Sequence, residues 1–128
     1  MTRIFGAAAG VAVAALLGGA APLSIFSQAK PGLWEIARSG SEPARLCLAN
    51  LETLPQIEHR KAGCPRTVIR DSQSEALVHY TCRGGDFGQT RMTLLTPRSF
   101  RVQTQGISAG EPFNYTFQAR RVGTCPTH

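Results

Sequence analysis

PFNYTFQARRV, residues 112–122, alternates apolar and polar side chains along most of its length. Phe113, Tyr115, Phe117 and Ala119 fall on one face of an extended chain, and Asn114, Thr116, Gln118 and Arg120 on the other. Successive strand residues point to opposite sides of a sheet, whereas a helix repeats every three to four residues. A strand with one apolar and one polar face belongs to an antiparallel sheet that is wet on one side.

The same reading extends outward from this strand. Ser99 to Thr104 follows Pro97 and pairs Phe100 with Val102 on one side. Gln89 to Thr96 does the same with Met92 and Leu94, and Ala76 to Cys82 with Val78, Tyr80 and Cys82. Arg66 to Arg70, Arg45 to Leu48 and Leu33 to Ala37 are shorter strands bounded by Pro, Gly and Ser clusters. One helical segment interrupts them. Asn50 suits its N-cap, Leu51, Leu54 and Ile57 keep rough helical spacing, and Pro55 makes it short or irregular. The fold expected is mainly β. It is a single curved antiparallel sheet of about six or seven strands, a meander or partly open barrel, with one short helix across it.

CRGGDFGQT, residues 82–90, contains an Asp-Phe-Gly triplet and a Gly-Gly-Asp-Phe run. Both occur in nucleotide enzymes. A kinase also needs a lysine strand, a catalytic loop and two lobes, and this chain is too short for them. Between two alternating strands, Gly84, Gly85, Asp86 and Gly88 read as a turn.

The N-terminal residues have the layout of an export signal. Arg3 precedes an uncharged Ala-, Val- and Leu-rich run from Ile4 to Leu17, then small residues and Pro22. Two cleavage sites compete, one after Ser27-Gln28-Ala29 and one near Ala20. The expected organisation is a signal peptide over residues 1–29 and one domain over 30–128, periplasmic or secreted, with no transmembrane anchor after cleavage. The formal net charge is +6, and Arg3 is the one basic residue ahead of Lys30. All four cysteines, Cys47, Cys64, Cys82 and Cys125, follow the signal. An even number in a small exported domain reads as two disulfides. No two lie within 16 residues of each other, and a zinc site usually needs closer pairs, so no metal is expected. Sequence alone leaves three pairings open. The expected one is Cys47–Cys64, closing a loop around the helix, with Cys82–Cys125 tying a central strand to the last one.

Several motifs occur in a fixed order. Lys30-Pro31-Gly32-Leu33-Trp34-Glu35-Ile36 opens the domain, Leu46-Cys47-Leu48 and Cys64-Pro65 follow, and Tyr80-Thr81-Cys82 ends a strand. Arg120-Arg121-Val122-Gly123-Thr124-Cys125-Pro126 closes the chain. From Lys30 to Pro126 the sequence resembles an uncharacterised family of small exported proteobacterial proteins, a domain of unknown function. Its marks are P-G-L-W-E, four cysteines and a terminal R-x-x-G-x-C. The resemblance implies periplasmic residence and a β-rich fold. It carries no catalytic residue.

Trp34, Phe113, Tyr115 and Phe117 are candidates to line an apolar ligand cavity, and otherwise they are core. Arg98, Arg101, Arg120 and Arg121 are candidates to meet an anionic partner. His59, in Glu58-His59-Arg60-Lys61, reads as part of a solvated loop. There is no Gly-x-Ser-x-Gly elbow and no nucleophile with a placed base, so no catalytic residue and no cofactor is expected. Aromatic residues do not interleave with the arginines, which argues against nucleic acid. The expected function is a non-enzymatic binding or accessory protein for a small apolar or anionic envelope ligand. Two alternatives are a protein inhibitor or adaptor acting through a hairpin loop, and an envelope hydrolase with unidentified carboxylates.

Overall fold

The computed structural model describes residues 21–127. Seven strands form one antiparallel sheet: β1 (Gly32–Arg38), β2 (Ala44–Leu48), β3 (Arg66–Asp71), β4 (Glu75–Thr81), β5 (Phe87–Thr96), β6 (Ser99–Ser108) and β7 (Glu111–Gly123). Their spatial order is β2-β1-β7-β6-β5-β4-β3. The sheet is open, because β2 and β3 are its two edges and do not pair. β3 to β7 form a meander, and the β1–β2 hairpin is added against β7. The connection from β2 to β3 therefore runs from one edge of the sheet to the other.

That connection carries the expected helical segment, a 3-10 stretch over Leu51–His59 that crosses the inner face. The Asn50 side chain caps it by accepting from the Glu52 amide. Pro55 cannot donate a backbone hydrogen bond, and Gln56 leaves helical geometry at φ −125° and ψ 40°. The break frees the Pro55 carbonyl. The buried Thr90 hydroxyl donates to it and in turn accepts from Thr104, 2.8 Å away. A polar pair inside the sheet thus anchors the break in the segment above it.

Leu51, Leu54 and Ile57 face a core supplied by alternate residues of the strands: Trp34, Ala76, Val78, Met92, Phe100, Val102, Phe117 and Ala119. Trp34 stacks on Phe100 with ring centroids 5.7 Å apart. The core also takes Leu23, and Ile25 and Phe26 of the 3-10 turn over Ser24–Phe26 that it caps, all ahead of the expected Lys30 boundary. Residues 1–20, most of the expected signal peptide, lie outside the described residues.

The disulfides are Cys47–Cys125 and Cys64–Cys82. This overturns the expected Cys47–Cys64 and Cys82–Cys125 pairing, and the strand order is the reason. Leu33 of β1 lies between Cys47 of β2 and Gly123 of β7, which brings the chain end beside β2. At the other edge, Arg66 faces Tyr80, and the same register extended by two residues sets Cys64 opposite Cys82. The two bridges thus fasten the crossing connection near both of its ends.

Candidate functional site

The turn between β4 and β5 is a short 3-10 stretch over Arg83–Gly85, as its glycines imply, whereas Gly88, expected in the turn, pairs with Tyr80 inside β5. Gly84 and Gly85 have φ of 79° and 89°, a region that suits glycine. Gly88 serves another purpose. Its backbone lies under the Tyr80 ring, and a Cβ there would overlap the phenol. Asp86 links two turns. Its carboxylate accepts from the Ala109 amide at 3.0 Å and so ties this turn to the β6–β7 turn. The Ala109 and Gly110 amides, with His59, hold the Asp86 carboxyl below its ordinary value.

His59 differs from the solvated loop residue expected. Its side chain is 7% exposed, with Nε2 3.4 Å from Asp86 and Nδ1 2.9 Å from the Tyr80 hydroxyl. The 3-10 segment lays it on the sheet between Tyr80 and Phe113. Beside it the Tyr115 hydroxyl donates to Glu58 at 2.7 Å, and Arg38 lies 4.0 Å from the Tyr115 ring centre. The proposed ligand-lining residues are therefore occupied by the protein itself. Trp34 and Phe117 are buried, and Phe113 and Tyr115 are half-buried against His59 and Glu58.

This cluster predicts behaviour in alkali. Burial, with Glu58 and Asp86 adding, pushes the Tyr80 phenol up to about 12. Burial and the Glu58 hydrogen bond push Tyr115 up as well. These are the two tyrosines of the chain. A phenol with a raised folded pKa contributes stability that is complete below its unfolded value, about 10. That stability is lost as pH rises through the folded value, about 12 for Tyr80. Ultraviolet titration should thus show no tyrosinate near pH 10 in the folded protein. The signal should appear together with loss of the circular dichroism of the sheet. One tyrosine ionising near pH 10 with the sheet intact would show that the cluster is open to water.

Among the described residues no segment covers the outer face of the sheet. Its strand register arranges the arginines. Arg101 of β6 lies opposite Thr93 of β5 and Gln118 of β7. Arg91 is two residues from Thr93 on one side, and Arg120 two residues from Gln118 on the other. The three arginines therefore form a diagonal across three neighbouring central strands. Diagonal neighbours in a sheet lie roughly 7–8 Å apart. Glu75 pairs with Arg91 at 3.1 Å and Arg70 at 3.3 Å. Glu35 pairs with Arg120 at 3.3 Å and Arg45 at 3.7 Å. Arg101, in the middle, makes no ion pair among the described residues. Five arginines thus share this face with two glutamates.

Gln103, Gln105, Asn114 and Thr116 are exposed beside the diagonal. With Leu77, Gln89 and Arg91 they line a shallow groove of about 360 Å³. A second depression of about 410 Å³ is lined by Arg101, Thr116 and Gln118. Of the four arginines singled out in the sequence, Arg101 and Arg120 belong to this face. Arg121 is on the opposite alternation and donates to the Pro31 carbonyl, and Arg98 sits in the β5–β6 turn. Arg91 was missed. The two-residue turn Pro97-Arg98 gave no signal for it: Thr96 faces Ser99, which alone would set Leu94 opposite Arg101, and a bulge between Leu94 and Thr96 shifts the register so that Thr93 faces it.

The disulfides fit an oxidising, non-cytoplasmic compartment. No helix among the described residues is long and apolar enough to cross a membrane. No curated protein and no solved structure matches the chain. Residues 29–125 match the family described as protein of unknown function (DUF3617), which spans every strand and both disulfides, and the chain belongs to that family.

Proposed function

We propose that this is an exported, non-enzymatic binding protein that takes an anionic, hydroxyl-rich envelope ligand, a phosphorylated or sulfated glycan, on the uncovered face of its sheet. The observation that carries this is the Arg91–Arg101–Arg120 diagonal with its unpaired centre. Like charges on neighbouring strands repel, and an anion placed over Arg101 relieves that repulsion. Guanidinium forks suit carboxylate, sulfate and phosphate oxygens. The amides of Gln103, Gln105 and Asn114 can both donate to and accept from sugar hydroxyls.

The inner aromatic row is filled by the protein's own side chains, which favours an anionic ligand over an apolar one. The same packing supports a role without catalysis. The four cysteines are all oxidised, and the His59–Tyr80 pair is largely buried, with Tyr80 1% exposed.

Arg101→Glu tests the reading against a sulfated polysaccharide, with its neutral parent as control. Affinity should fall at least about tenfold and the salt dependence should flatten. Lys61→Glu makes the same charge change in the loop after the 3-10 segment and should leave affinity unchanged. Equal losses in both variants would mean that net charge alone attracts the polymer.

A further inference from the structure

We propose that the export peptide is removed at the Ala20–Ala21 bond, so that the mature protein begins at Ala21 and keeps residues 21–29 as part of its fold. This rests on the export in the proposed function and is independent of the ligand.

The segment is built into the domain by two kinds of contact. Its apolar side chains are core. Leu23 and Ile25 are each 2% exposed and Phe26 8%. Phe26 meets Phe100 edge-on with centroids 5.4 Å apart. Its backbone is also held, by three charged side chains from elsewhere in the chain. Glu52 accepts from the Leu23 amide at 3.2 Å, and Asp71 accepts from the Ser24 amide at 2.7 Å. Arg66 bridges Glu52 at 2.6 Å and donates to the Ala21 carbonyl at 3.3 Å. Arg66 is 10% exposed at its side chain, and losing the segment would strip contacts from this partly buried ion pair.

The rival bond, after Ala29, follows a stretch that is folded into the domain. The Ala29 amide donates to the Phe26 carbonyl at 3.0 Å, and Ala29 packs against the core. A cut there would leave an apolar depression over Phe100 and two carboxylates without their backbone partners. The Ala20–Ala21 bond lies ahead of every contact named above. It also satisfies the peptidase, which needs small residues one and three positions before the cut. Ala20 and Gly18 supply them. In the step itself water adds across the amide. Ala20 leaves as the carboxylate of the released peptide, and Ala21 gains a free amine.

The test is the intact mass of the protein recovered from the periplasm of a Gram-negative host expressing the full chain. A single species beginning at Ala21 is expected. Ala20→Leu should leave the precursor uncut, and Ala29→Leu should leave the N-terminus at Ala21. A mature chain beginning at Lys30 overturns the proposal while leaving export standing. A membrane-bound chain retaining Met1 overturns both. As a second reading, a chain started at Lys30 should melt at least about 15 °C below one started at Ala21. Equal melting would show that the segment is not part of the fold.

Discussion

Phe100→Ala is expected to destabilise the domain by roughly 3–5 kcal/mol. Phe100 is fully buried and lies between two aromatic partners, with Trp34 stacked on it and Phe26 edge-on. It thus joins three parts of the chain: the N-terminal segment, β1 and β6. Alanine would leave a cavity that none of these neighbours can fill without abandoning the others, since interiors relax only partly around a lost side chain. For a domain of this size the melting midpoint should fall by at least about 15 °C. Thermal circular dichroism reads it, with Leu95→Ala as the comparison. Leu95 is 47% exposed, and its loss should stay within about 0.5 kcal/mol. Similar melting of the two variants would mean that the aromatic junction does not hold the layers together.

The second large effect belongs to the Cys47–Cys125 bridge. It closes a sequence separation of 78 residues, against 18 for Cys64–Cys82. In the chain-entropy account the long loop contributes about 4.5 kcal/mol and the short one about 3. The long bridge also secures the β1–β2 hairpin, which borders the rest of the sheet along β7 alone. Cys47→Ser with Cys125→Ser should therefore lower the guanidinium midpoint more than Cys64→Ser with Cys82→Ser. The reverse order would show that the β3 edge, not the hairpin, depends more on its bridge.

Strand existence and facing were legible because period-two alternation is a local property. Phe113, Tyr115, Phe117 and Ala119 share the inner face as their spacing implies. The turn at Arg83–Gly85 was legible because its glycines are a local signal too, but Gly88 was not, since its place in β5 depends on pairing with Tyr80. The disulfide pairing was not. It depends on β1 lying between β2 and β7, and no local pattern encodes which strands become neighbours. His59 was misread because Glu58-His59-Arg60-Lys61 has the composition of a solvated loop. Its burial comes from where the 3-10 segment sets it, within reach of the Tyr80 hydroxyl. Of the arginine face, Arg101 and Arg120 could be named as charges. Their alignment with Arg91 exists only once the register of three strands is set.

The placement of β1 against β7 also governs the order of events in a chain that emerges N-terminus first. β1 has to wait for the last strand before it can complete its pairing. Cys47 meets Cys64 and then Cys82 long before Cys125 has emerged. An oxidant acting on the emerging thiols would join neighbours in sequence, and Cys47–Cys64 is the first such pair. The native bridges then form by exchange, a thiolate attacking the wrong bridge through a mixed disulfide, or after that bridge is reduced. Under such an oxidant, maturation would call on reduction or a disulfide isomerase to undo the first bridge, whereas an oxidant slow enough to let the last strand arrive would need neither.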